Sequence, residues 1–189
     1  MFRVDGKALL LGTLLGGLIG MVWSSLSWTV LPWHEGAMRE FTDAAAVAQV
    51  IKANAPEKGM YFLPGSVAKG ASEEDHMKGT AEGPYLYGVV RPGPESFSMG
   101  SSIGQQLLVQ LLAAFLLTLL VLQTRGLSLL GRALLVAFGA LAGGVLVLAP
   151  ESIWYQFTCE NALLGLLDLA IAWFLAGLAI AKVTARATA

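Results

Sequence analysis

Of the 189 residues, 56% are hydrophobic and only 13% are charged, with 12 basic and 13 acidic side chains and a formal net charge of −1. A soluble domain carries roughly 25% charged residues, so this chain cannot clothe itself in a solvated surface, and disordered or collagen-like classes fall away as well. With almost no net charge there is no field to gather nucleic acid, and the single Cys159 excludes an intramolecular disulfide framework and any multi-cysteine metal site.

Hydrocarbon excludes ions, and a spanning helix needs about 20 apolar residues, so long gaps between charges mark candidate spans. The first gap runs from Lys7 to Glu35 and predicts a span over Leu9–Leu31. A secretory signal peptide is the rival reading of this segment. Its apolar core exceeds the usual 7–15 residues, and no Ala-x-Ala cleavage site precedes Trp33, so an uncleaved anchor is expected.

The next segment, residues 32–102, holds 15 of the chain's 25 charged residues and reads as a small α+β domain near the lower size limit for independent folding. Met38, Phe41, Ala45, Val47, Val50 and Ile51 recur at three- and four-residue steps and predict a helix over His34–Ala53, with Thr42 or Asp43 able to cap a second stretch. Gly59–Leu63 and Tyr85–Val90 read as short strands closed by Pro64 and Pro92. Between them Ala68–Thr80 is polar and reads as a solvated helix or loop. Two strands and a helix leave one face uncovered, which calls for the membrane surface, a partner or another copy.

Three further gaps follow. Ile103–Gln123 predicts the second span; Ala133–Ala149 predicts a third that can begin near Leu127 with Arg132 reaching toward headgroups; Asn161–Ala181 predicts the fourth, with Asp168 inside it. The fold class expected is therefore a membrane all-α four-helix bundle with a small extracytoplasmic α+β insertion between spans one and two.

Basic residues in short loops stay on the cytoplasmic side. Arg3, Lys7, Arg125, Arg132, Lys182 and Arg186 lie in the segments 1–7, 125–132 and 182–189, whereas the connection Pro150–Glu160 has no base and two acids. Both termini are thus expected in the cytoplasm and residues 32–102 outside it.

Within the spans, small and polar residues carry the information, because apolar side chains gain nothing by leaving lipid for one another. Gly12, Gly16 and Gly20 form one ridge for close helix approach, and Gly139 with Gly143 a second. In the fourth span Asn161, Gly165, Asp168, Ala172, Ala176 and Ala179 share one face, and Asp168 is expected to point inward. Asp168 lies seven residues from Asn161, about 10 Å deep, and Gln110, Ser24 and Ser25 fall in the same layer. A carboxyl group at that depth either keeps a proton or gathers donors. It serves as interhelical glue or as a proton, ion or headgroup site.

The outer ends of the spans are rich in aromatics. Trp23, Trp28, Trp33, Trp154, Tyr155 and Phe157 suit an interfacial belt. His34 and Glu35 sit at the same level, and a metal site from His34, Glu35 and His76 is a weaker alternative; no cofactor or dedicated metal ligand set is expected.

The run Trp28-Thr29-Val30-Leu31-Pro32-Trp33-His34, the segment Tyr61-Phe62-Leu63-Pro64, and Trp154-Tyr155-Gln156-Phe157 leading into Trp173-Phe174-Leu175-Ala176-Gly177 resemble a group of small bacterial inner-membrane proteins with four spans and no assigned activity. The likeness implies bacterial origin and this architecture, and it transfers no site residue.

Three classes of function stay open. The chain has no nucleotide-binding loop, HExxH or nucleophile elbow, which suits a non-catalytic accessory or assembly subunit of a larger membrane complex. Asp168 with Gln110 suits a small transporter or proton-coupled unit, which four spans could form only as a homo-oligomer. His34 with Glu35 suits an enzyme working at the outer interface. The bilayer is the common partner of all three.

Overall fold

The computed structural model describes residues 4–64, 70 and 72–185. It divides into two compact units, residues 1–38 with 98–189 and residues 39–97. Arg3, Arg186 and most of the stretch 65–71 lie outside the described residues.

The first unit is built from α1 (Gly6–Thr29), a single-turn α2 (Trp33–Ala37), and three further long helices that follow the second unit in the chain. Four of its helices are long and apolar enough to cross a membrane: α1, Met99–Leu122, Leu129–Trp154 and Cys159–Thr184. Each starts at a side-chain N-cap. Asp5, Ser98, Ser128 and Thr158 accept from the backbone N–H groups of Ala8, Ser101, Gly131 and Asn161 at 2.9, 3.3, 3.1 and 3.3 Å. Such a bond satisfies one of the donors left open in a first turn and places the start of every span at a polar residue.

The second unit contains α3 (Ala44–Asn54), β1 (Gly59–Leu63), α4 (Glu73–Glu82) and β2 (Leu86–Val90). The strands pair antiparallel, from Gly59 opposite Val90 to Leu63 opposite Leu86. Phe62 packs its ring against His76, Tyr85 and Tyr87 at centroid distances of 5.4, 5.4 and 6.2 Å. Lys58 and Arg91 both bond the Glu95 carboxylate, at 2.8 and 3.1 Å. These hydrogen bonds, from Lys58 first and then Arg91, hold the Glu95 carboxyl below its ordinary value. Ala55 is the one buried apolar residue among those described here, while the register partners Met60 and Val89 are both exposed.

The helical segment expected over His34–Ala53 is two helices, and the second is the stretch that Asp43 was expected to be able to cap. Asp43 caps α3 by accepting from Ala46 N at 2.8 Å, so the chain leaves helical geometry at Met38 and re-enters at Ala44. The loop expected from Pro150 to Glu160 is also shorter, because the third long helix continues through Pro150 to Trp154. Proline forfeits one backbone bond there, but the turn beyond it is held by Tyr155 N to Glu151 O at 3.0 Å and Ser152 Oγ to Leu148 O at 3.2 Å.

With α5, α6 and α7 naming Met99–Leu122, Leu129–Trp154 and Cys159–Thr184, the packing order is α5, α1, α7, α6. The core is made largely of small residues around Trp173: Ala114, Val121, Val136, Ala172, Ala176 and Ile180. Close approach explains the composition. A Cβ added at Gly16 would lie 2.9 Å from Ile180 Cδ1 and 3.2 Å from Ala114 Cβ, and one at Gly177 would lie 2.8 Å from the Ala133 carbonyl oxygen. Along the same ridge Gly12 faces Thr118 and Gly20 faces Gln110, so the first glycine stripe is covered mainly by α5. The second stripe is divided: Gly139 abuts Leu117, whereas Gly143 opens onto empty space. Arg132 lies in the first turn of α6 and is 6% exposed, folded into protein rather than extended along the surface.

Candidate functional site

The polar cluster of the first unit forms at the end where α1 gives way to α2. We call it the insertion end, since the second unit leaves the chain there. Trp23 and Ser27 are four residues apart and share one face of α1. Pro32 then caps α2, with Gly36 N bonded to the Pro32 carbonyl at 3.3 Å, and this reversal carries Trp33 and His34 back to that face. Asp168, nine residues into α7, completes the group.

The hydrogen bonds close on themselves. Asp168 Oδ1 accepts from Ser27 Oγ at 2.6 Å and from Trp23 Nε1 at 3.1 Å. Asp168 Oδ2 lies 2.9 Å from His34 Nε2, which donates to it when protonated at that nitrogen. Ser27 Oγ accepts from Trp33 Nε1 at 3.0 Å and lies 3.0 Å from His34 Nε2. The His34 ring is further held by Trp28, stacked at 4.0 Å with only 5° between the planes, and by the edge of Trp33 at 6.0 Å. Ser27 is completely buried and His34 is 6% exposed.

This geometry sorts the chemistry. In a nucleophilic triad the hydroxyl and the carboxylate address opposite ring nitrogens, so that imidazole passes a proton between them. Here both approach His34 Nε2, and the Ser27 proton goes to the carboxylate directly. The group is a clasp joining α1, α2 and α7. Removing Asp168 would take the acceptor from Trp23 Nε1 and break the bonds of Ser27 and His34 to the carboxylate.

Sequence reasoning placed Asp168 with Gln110, Ser24 and Ser25, and His34 with Glu35; the structure regroups them. Asp168 and His34, expected in separate sites, meet. Gln110 instead lies over Gly20, seven residues below Ser27 along α1, about 10 Å. Ser25 donates to its own helix at Met21 O, 2.9 Å away, and Ser24 and Ser25 line a separate notch. Glu35 is exposed and takes no part. Trp28 and Trp33 are held in the cluster, while Trp154 is 75% exposed. His76 packs within the second unit, and among the described residues no three His, Cys, Asp or Glu side chains converge as metal ligands. Ser27 and the hydrogen-bonding role of Trp23 were missed. The available signal was the glycine ridge, since the steps Gly12, Gly16, Gly20, Trp23, Ser27 continue a single helical face.

The chain matches no family model, no curated protein and no solved structure.

Proposed function

We propose that this chain is a non-catalytic multi-pass protein of the bacterial inner membrane, serving as an accessory or assembly subunit of a larger membrane complex. In this reading both termini are cytoplasmic and residues 32–102 lie outside. The carrying observation is the closed bonding of the Asp168 cluster: Trp23, Ser27, Trp33 and His34 direct their polar atoms at one another and at the carboxylate. Such a clasp ties α1, α2 and α7 together and commits the carboxylate and the Ser27 hydroxyl to contacts within the protein. Exposed apolar residues suit docking in each unit taken by itself: Leu108 and Leu146 on the long helices of the first, Met60 and Val89 on the small sheet of the second.

The test is purification of the tagged full chain from native membranes after mild crosslinking. A larger protein is expected in stoichiometric yield, and recovery of the chain alone under every crosslinking condition overturns the reading.

A second reading, a proton-coupled unit, is favoured by the 2.9 Å contact between His34 and Asp168, with His34 in the role first given to Gln110. An Asp168→Asn variant that assembles normally but loses proton-dependent transport in proteoliposomes decides for it.

A further inference from the structure

A notch opens at the insertion end between α1 and α5, beside the clasp but on another face of α1. It measures about 440 Å³, within the range of about 300–1,000 Å³ typical of small-molecule sites. Ser24, Ser25 and Trp28 line it from α1, Ser102 and Gln106 from α5, and Met21 and Ile103 supply apolar lining.

No charged residue lines the notch. Ser25 and Ser102 donate to the carbonyls of Met21 and Ser98, at 2.9 and 3.3 Å, which leaves their oxygens able to accept. The side chains of Ser24 and Gln106 have no hydrogen-bond partner among the described residues. Both are donors as well as acceptors. Ser24 lies five residues before the end of α1 and Gln106 seven after the start of α5, so both sit within about 10 Å of the helix ends. That is the depth at which headgroups meet acyl chains.

An acyl chain filling this space would cover the half-buried Ser24 and the exposed Gln106 without offering either a hydrogen bond. A phosphate would find no cation. Hydroxyl groups on adjacent carbons match the set best, because each donates and accepts, and the carbon face between them suits an indole. Trp28 is fixed for that purpose by its parallel stack on His34.

We propose that the notch binds the uncharged, hydroxyl-rich end of a lipid headgroup, a glycosyl or glycerol group. The inference requires the four long helices to span a bilayer, as the functional reading above does, but not that the chain be a subunit of a complex.

The test is native mass spectrometry of the full chain in a sugar-free amine-oxide detergent. The chain is offered equal amounts of glucosyl-diacylglycerol, phosphatidylglycerol, phosphatidylserine and phosphatidylcholine with identical acyl chains. One glucosyl or glycerol lipid per chain is expected, retained about tenfold better than phosphatidylserine or phosphatidylcholine. Preference for the first lipid assigns a sugar and preference for the second assigns glycerol. The double variant Ser24→Val, Gln106→Leu is expected to lose the discrimination, while Leu163→Ala, on an exposed face of α7, keeps it. Equal retention of all four lipids by the unaltered protein, a preference for phosphatidylserine or phosphatidylcholine, or discrimination that survives in the double variant overturns the proposal. Because the lipid series is read on the unaltered chain, the proposal can fail independently of whether a protein partner copurifies.

Discussion

Replacing Asp168 by Leu removes the acceptor of three donors, Trp23 Nε1, Ser27 Oγ and His34 Nε2. Hydrogen bonds between membrane helices average only about 0.6 kcal/mol, which sets a floor of about 2 kcal/mol for three. A buried donor left dry costs more, about 1–3 kcal/mol. The cluster can repair part of the damage, since Ser27 Oγ lies 3.0 Å from His34 Nε2 and keeps Trp33 as a donor. Trp23 is then the donor without an acceptor, and the expected loss is about 2–4 kcal/mol. Asp168→Asn should cost less than about 1 kcal/mol. Its carbonyl oxygen still accepts from Trp23 and Ser27, and its amide donates to His34 Nε2 once the ring proton moves to Nδ1.

Unfolding of the full chain in mixed micelles with increasing dodecyl sulfate, followed by far-ultraviolet circular dichroism, measures both variants. A Leu variant within about 0.5 kcal/mol of the unaltered protein would refute the clasp, since even one average bond exceeds that. An Asn variant as damaged as the Leu variant would show that the pair depends on charge and not on a neutral network.

Gly177→Ala should destabilise the bundle or lower its yield, because the new methyl meets the Ala133 backbone 2.8 Å away, whereas Gly143→Ala, facing open space, should be neutral; equal effects in thermal stability would contradict the packing of α6 on α7. Glu95, held below its ordinary value of 4.5 by Lys58 and Arg91, favours the folded second unit above that value and loses the contribution as pH falls through its lowered folded value. Glu95→Gln should therefore flatten the acid limb of a stability profile, by a small amount because the pair is exposed; an unchanged limb would show that the contact is not maintained in solution. In a Cys159→Ser background, Ser72→Cys should react with an impermeant thiol reagent on intact cells and Ser128→Cys should not, and the opposite pattern would invert the proposed orientation.

The four long helices were legible because the exclusion of charge from hydrocarbon is a large effect and leaves gaps that no local detail can hide. Their ends were less legible, although Asp5, Ser98, Ser128 and Thr158 are ordinary capping residues. A hydropathy gap marks where charge is absent, while a cap marks where backbone donors need satisfaction. The second helical stretch that Asp43 was expected to be able to cap is α3, but the non-helical break before it was not legible, since the apolar periodicity runs on across Met38 and Phe41.

The site shows a different limit. Ser24, Ser25 and Ser27 differ little in depth, so depth alone cannot choose among them. Azimuth can: at about 100° per residue, Ser27 falls within the arc of Gly12, Gly16, Gly20 and Trp23, Ser24 lies at its margin, and Ser25 points away. The ridge that lets α1 approach its neighbours therefore also aims Ser27 at α7, and Asp168 meets it there at 2.6 Å. His34 follows from neither depth nor azimuth. Its place depends on a reversal at Pro32 and on a five-residue helix too short to be stable alone, held because Asp168 and Ser27 receive its imidazole. The clasp and α2 are thus mutually dependent, and this predicts that Ser27→Ala loosens α2 although the substitution lies in α1. Hydrogen exchange at the Gly36 and Met38 amides, whose bonds to Pro32 and Glu35 close that helix, should accelerate in Ser27→Ala and stay unchanged in Ser25→Ala. Equal protection in both variants would refute this dependence and leave the His34 contacts with Asp168 and Trp28 as sufficient to hold α2.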